Sequence, residues 1–181
     1  MATENITLIS FGYFGEDLLE TVAREVEHEF GLPVKTRQGH LDLSDFYDLS
    51  RKQYEGNRLL HELDARFSDE TTKILGLFNV DLFIPILTYI FGQAFLRGKC
   101  GIASVYRLSN ERYGLKPDKQ LFTERVKKEV IHELGHTFGL IHCQNPACVM
   151  RSSTYVEDID QKEQTLCPKC KEKLVELVLA S

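Results

Sequence analysis

The sequence predicts an α/β (α+β) fold: a mainly parallel, twisted sheet with one antiparallel edge strand, packed on a long helix and followed by a small cysteine-rich C-terminal subdomain. Three observations lead there. The patterned segments as far as Asn79 run strand, helix, strand, helix, strand, which favours parallel strands joined by helical crossovers. Two later strands are separated only by Arg97-Gly98-Lys99, a turn so short that it pairs them antiparallel. Four of the five cysteines fall between Cys143 and Cys170, where periodic patterning is weak. A length of 181 residues fits a single compact domain, divided into a sheet-and-helix part at 1–142 and an appended part at 143–181.

Taken in order, Ile6 to Ser10 is a short β-branched strand, and Phe11 to Gly15 a glycine-containing turn. In Glu16 to Phe30, Leu18, Leu19, Val22, Val26 and Phe30 recur at helical spacing, and Gly31 with Pro33 ends the helix. Val34 to Arg37 reads as a second strand and Gln38 to Asp48 as a polar loop. A second helix is expected from Arg51 to Phe67, with Leu59, Leu60, Leu63 and Phe67 on one face. After a turn at Ser68 to Thr71, Lys73 to Asn79 is apolar enough to be a central strand. Leu82 to Leu96 contains Pro85 and Gly92 and reads as a loop followed by a strand at Phe91 to Leu96. Cys100 to Arg107 is a further strand, in which Cys100 is a buried filler. Asn110 to Lys119 is a loop. A helix then starts near Leu121 or Phe122 and runs to Phe138, with Phe122, Val126, Val130 and Leu134 facing the sheet. A last helix spans Pro168 to Leu179.

The long helix carries His132-Glu133-Leu134-Gly135-His136-Thr137-Phe138-Gly139-Leu140-Ile141-His142. His132 and His136 are four residues apart, so their imidazoles project from one helix face and can grip one zinc ion. Glu133 stands where it can take a proton from a metal-bound water. Gly139 accepts the left-handed conformation that stops a helix, and the turn lets His142 return to the same metal. Three protein ligands leave a position open for water, as in catalytic zinc sites. His-Glu-x-x-His alone arises by chance roughly once in several thousand windows. Gly139 and His142 at their offsets lower that by roughly a further few-hundred-fold. His28, His40 and His61 belong to no such pattern and read as surface residues.

Downstream, Cys143-x4-Cys148 and Cys167-x2-Cys170 make two ligand pairs suited to a closed, structural four-thiolate zinc site. Such a site would staple a segment that buries too little to fold well alone. Two disulfides are the rival reading, disfavoured because no signal peptide is evident. A nucleic-acid-binding zinc module is another, disfavoured by Glu157, Asp158, Asp160 and Glu163 within the segment.

This stretch resembles the metzincin zinc-peptidase signature, in which the three-histidine motif is followed by a methionine in a turn beneath the metal. Met150 is the residue at that place. The Cys143, Cys148, Met150 run with Cys167 and Cys170 resembles the archaemetzincin branch in particular. The resemblance implies a metzincin-like zincin fold and two zinc ions per chain. One would be catalytic, on His132, His136 and His142 with Glu133 as general base. The other would be structural, on Cys143, Cys148, Cys167 and Cys170. Some metzincins place a tyrosine two residues after the methionine; here that position is Ser152, so no second oxyanion donor is identified.

The function expected is therefore a zinc-dependent peptidase acting on a peptide or protein substrate. An aminopeptidase restricted to free N-termini, a silent zinc-stabilised binding protein and a hydrolase of non-peptide amides stay open. The Phe91 to Leu96 strand is either an edge that pairs with an extended peptide or an ordinary hairpin strand without a ligand. A net charge of −5 and pI near 5.7 argue against nucleic acid or an anionic membrane as partner. The longest apolar stretch, broken by Pro85, Gly92 and Gln93, falls short of the roughly 20 residues of a membrane span. A cytoplasmic monomer is expected.

Overall fold

The computed structural model describes residues 3–179. In chain order the elements are β1 (Asn5–Phe11), α1 (Glu16–Phe30), β2 (Val34–Gly39), β3 (Tyr47–Asp48), β4 (Gln53–Glu55), α2 (Gly56–Phe67), β5 (Thr72–Phe78), β6 (Leu82–Ile84), β7 (Leu87–Ile90), β8 (Gly92–Ala94), β9 (Cys100–Ser104), α3 (Lys119–Phe138), α4 (Val156–Gln161) and α5 (Pro168–Leu179). The main sheet has the order β2-β1-β5-β9-β8. Its first four strands are parallel, and β8 pairs antiparallel with β9 at the edge.

The period-two alternation of the strands divides the core. Leu8, Leu75, Leu77 and Ala103 point to one face, where they join Val22 and Val26 of α1 and Val126, Val130 and Leu134 of α3. Their neighbours Ile9, Ile74, Phe78, Cys100 and Ile102 point to the other, where they join Leu59, Leu60 and Leu63 of α2. The sheet is thus covered on both faces, as parallel sheets require.

Two expectations need correction. The second helix begins at Gly56, not Arg51. Lys52 has φ 57°, which a right-handed helix cannot continue, and Gln53–Glu55 is strand β4 of a second, four-stranded sheet ordered β3-β4-β6-β7. Gln53 is fixed there by Asp81 Oδ2 at 3.2 Å and the Thr88 carbonyl at 3.0 Å, partners far along the chain. The segment before Phe91 is not a loop either: β6 and β7 pair as an antiparallel hairpin across Pro85. The edge strand itself shortens to Gly92–Ala94.

Helix α3 is buried in succession from Lys128 to Gly135, because the sheet covers one side and the C-terminal segment the other. That segment is fastened by polar anchors. Arg125 makes a two-pronged ion pair with Asp160 at 2.6 and 2.7 Å. Lys128 Nζ donates to the Ile159 carbonyl at 3.0 Å, and Leu166 N–H donates to Glu29 of α1 at 2.7 Å. Helix α4 lies within the stretch read from sequence as irregular. Among the described residues no helix is long and apolar enough to cross a membrane.

Candidate metal centres

The Asp118 carboxylate caps α3 by accepting from Leu121 N–H at 2.9 Å. Gly139, at φ 103°, closes the helix and bonds back to the Gly135 and His136 carbonyls. The chain reverses there and brings His142 to the face that carries His132 and His136. The three ring centroids lie 4.7, 4.9 and 5.2 Å apart, and one ring nitrogen from each falls within 4.8 Å of the others. His28, His40 and His61 are exposed and stand outside this group.

The hydrogen bonds fix the tautomers. His132 Nδ1 lies 2.8 Å from the Val149 carbonyl and His136 Nδ1 lies 2.7 Å from the Leu140 carbonyl. A carbonyl only accepts, so each Nδ1 carries the proton and each Nε2 presents a bare lone pair. Those two Nε2 atoms face each other at 3.1 Å, a repulsive arrangement that a shared cation turns into an attractive one. Tetrahedral zinc at its usual bond length would separate two such nitrogens by about 3.3 Å, so the donor set fits this metal. Burial holds all three imidazoles below their ordinary range, His132 most strongly, which keeps them neutral and able to ligate.

Glu133 is buried, and its Oε2 has no hydrogen-bond partner among the described residues. Burial, and then the neighbouring Glu129 carboxylate, push its pKa well above the usual carboxylate range, while Lys162 pulls the other way. Gly92 of the edge strand lies directly against it. A Cβ at Gly92 would stand 2.7 Å from Glu133 Cγ and Oε1 and 2.6 Å from the Ile102 carbonyl. On the opposite side of the helix, a Cβ at Gly135 would collide with Met150 Sδ, so the buried methionine seats against the helix where no side chain intervenes.

A cleft of about 610 Å³ opens over this site. The histidines and Glu133 line it, together with residues of β7 and β8 and the stretch Ser152 to Tyr155. Two residues that local patterning did not single out also reach it: Glu129, one helical turn before Glu133, and the buried Lys162. Their side chains approach to 3.6 Å, and Lys162 Nζ donates to the Arg151 carbonyl at 3.0 Å.

The four cysteines Cys143, Cys148, Cys167 and Cys170 form a second cluster, with all sulfurs within 4.8 Å. Cys143 and Cys167 are 3.8 Å apart, too far for a disulfide and close to the about 3.8 Å edge of a tetrahedral zinc–sulfur site. None of the five cysteines is disulfide-bonded, and Cys100 is buried in β9 away from the cluster. Burial raises the Cys167 thiol, but hydrogen bonds from the Cys170 backbone and the neighbouring thiols outweigh it and bring it to about 7. Burial keeps Cys148 and Cys170 above the ordinary thiol range. The cluster thus favours one thiolate, and a cation would favour more. The two centres share a frame: Cys143 N–H donates to the Met150 carbonyl at 3.0 Å, and Cys148, Val149 and Met150 in succession supply a sulfur, the carbonyl that orients His132, and the side chain beneath Gly135.

The model of peptidase family M54 matches residues 32–176, most of the chain and both centres. This chain belongs to the archaemetzincins, peptidase family M54. It is 43% identical over 150 residues to the archaemetzincin of Pyrococcus horikoshii, covering 81% of this chain and 79% of that protein. The crystal structure of archaemetzincin from Methanopyrus kandleri superposes with a TM-score of 0.85 at 33% identity, over 98% of this chain and 96% of that one. A zinc-dependent peptidase from Methanocorpusculum labreanum gives the same TM-score at 29% identity, over 94% and 100%. As an archaemetzincin the chain is a zinc metallopeptidase, hence a hydrolase, and its mostly parallel sheet with an antiparallel edge is the fold of those relatives.

Proposed function

We propose that this archaemetzincin hydrolyses peptide bonds at the three-histidine site, with Glu133 as general base. In this reading His132, His136 and His142 hold one zinc ion, and Cys143, Cys148, Cys167 and Cys170 hold a second, structural one. The observation that carries it is the pair of bare Nε2 atoms at 3.1 Å, each aimed by a carbonyl bond on its Nδ1. When bound, zinc would polarise the scissile carbonyl and acidify a water molecule. Glu133 then takes the water's proton and can return it to the leaving amine. Its enclosed carboxyl, lifted in pKa by burial, suits both halves of that transfer. The free edge of β8 lies beside Glu133 and can pair with an extended peptide through its backbone. Thiolate ligation needs reduced cysteines, which favours a cytoplasmic setting.

Substituting Glu133→Gln tests this reading. The variant should keep its fold and its zinc, at two ions per chain by elemental analysis, and lose at least about 100-fold in kcat on a fluorogenic peptide. Retained hydrolysis would remove Glu133 from the proton transfer, and one zinc ion per chain would remove one of the two centres.

A further inference from the structure

The C-terminal end of helix α3 is held from outside the helix. The last turn of an α-helix leaves its carbonyls without helical partners. Two of them are met by the chain's own reversal: Leu140 N–H donates to the Gly135 carbonyl and Gly139 N–H to the His136 carbonyl, both at 2.9 Å. The His136 carbonyl also accepts from Arg97 N–H at 3.0 Å, and the Thr137 carbonyl accepts from Lys73 Nζ at 3.0 Å. The same ammonium donates to the Gly98 carbonyl at 2.7 Å. Lys73 lies in β5, and Arg97 and Gly98 in the turn between β8 and β9. One side chain thus joins the sheet, that turn and the end of the histidine helix. The partly buried ammonium also faces the Phe138 ring at 5.3 Å, and it stands at the negative end of the helix dipole, where a cation is favourable.

The turn depends on this support. Arg97 has φ 57°, and among the described residues only one other residue besides glycine has a positive φ. Such a conformation persists only where its surroundings enforce it. Ile74 N–H, donating to the Lys99 carbonyl at 2.8 Å, fixes the turn to the sheet; Lys73 fixes it to the helix. The Arg97 side chain then lies over Gly139, where a Cβ would stand 2.7 Å from Arg97 Cγ. Ties of other kinds serve the earlier residues of the cleft: Gly92 seats against Glu133, and the Tyr89 hydroxyl donates to the Thr154 carbonyl at 2.8 Å.

We propose that Lys73 is a positioning residue for the histidine centre: by holding the Thr137 and Gly98 carbonyls together it sets the end of α3, and through it the reversal at Gly139 that brings His142 to His132 and His136. This inference rests on the reading above in which the three histidines hold zinc. Lys73 does not line the cleft, so it acts through the backbone alone. Without its ammonium the Thr137 carbonyl loses its partner and the turn is released from the helix. Arg97 N–H then has no fixed approach to the His136 carbonyl, and His136 and His142 lose their common aim. His132 keeps its own, set by the Val149 carbonyl. The cysteine cluster draws all its ligands from beyond His142, and Cys143 is held separately by its bond to the Met150 carbonyl.

Chelator competition on the zinc-loaded full chain tests the inference, with the cysteine centre followed separately by the protection of its thiols from a thiol reagent. Lys73→Met should weaken zinc binding at the histidine centre by at least about tenfold and leave the thiols as protected as in the parent. Lys73→Arg, which keeps the charge and the donors, should recover most of the affinity. Lys73→Gln keeps a donor without the charge; it should fall between the parent and Lys73→Met, and it carries the test if Lys73→Met does not fold. Parent-like affinity at the histidine centre without the ammonium, equal weakening at both centres, or an arginine variant no better than the methionine one would each overturn the inference and leave the peptidase reading standing. A parent chain that binds no zinc at its histidines would overturn both.

Discussion

Replacing Gly92 by alanine adds a single methyl group, and the structure places it. The new Cβ would stand 2.6 Å from the Ile102 carbonyl and 2.7 Å from Glu133 Cγ and Oε1. Carbon atoms pack comfortably at about 3.5–4.0 Å, so the overlap is close to 1 Å on two sides. The carbonyl side is stiff, because Ile102 and Ala103 belong to β9, with which Gly92 and Gln93 pair. The side chain that must yield is Glu133. Overpacking of this kind costs roughly 1–3 kcal/mol of stability, and a displacement of about 1 Å in a reacting group costs roughly 100-fold in rate. The assay is kcat and KM on a fluorogenic peptide, beside zinc content and melting temperature. The expected result is a kcat lower by one to two orders of magnitude, with zinc content unchanged, because the histidines are not touched. A variant with kcat and melting temperature both at the parent's values would refute the reasoning, since the methyl group would then have found room that the structure denies.

Three further perturbations follow from the same geometry. Cys148→Ser should weaken zinc affinity at the histidine centre by about 10- to 100-fold, because the next residue supplies the carbonyl that orients His132; unchanged affinity in a chelator competition would show that the centres are independent. Lys162→Met leaves the buried Glu129 carboxylate without its ammonium partner and should lower stability by about 3–5 kcal/mol in denaturant titration, with most of it regained in the Lys162→Met, Glu129→Gln double variant. Asp158→Ala should lower stability by about 1 kcal/mol at neutral pH, since its carboxylate accepts from Tyr155 and Thr154 N–H at 2.8 and 2.9 Å. Those two bonds, Tyr155's first, hold its pKa below the ordinary value. The depressed value makes the contribution present above the unfolded pKa and lost as pH falls through the folded one, so parent and variant should converge in strong acid.

The features legible in the sequence are those whose partners lie close along the chain. The bounds of helix α1 are legible because Leu18, Val22 and Val26 repeat at helical spacing and Gly31 supplies the left-handed stop. The histidines, Glu133 and the cysteine pairs were readable because a helix turn or a short loop sets their spacing. Strand β4 is not legible locally, because the bonds that fix Gln53 there run to Asp81 and Thr88, far along the chain. Glu129 carries no local signal, because the partner it meets in the interior, Lys162, lies 33 residues further along the chain. Gly92 offered a faint signal: a glycine inside a strand marks a close approach, but not what approaches. No local pattern marks Tyr89, since its hydroxyl partner is 65 residues away.

The run Cys148-Val149-Met150 makes length itself a constraint. Each residue faces a different part of the molecule, and none is separated from the next by a spare position. Substitutions there can be weighed one at a time: a sulfur for the cluster, a carbonyl for His132, a thioether for Gly135. An insertion or deletion cannot, because a shift by one residue turns every following side chain towards its neighbour's station. The segment is therefore tolerant, in part, of changes in spelling and intolerant of changes in count, and any redesign of the chain should put its inserted residues elsewhere.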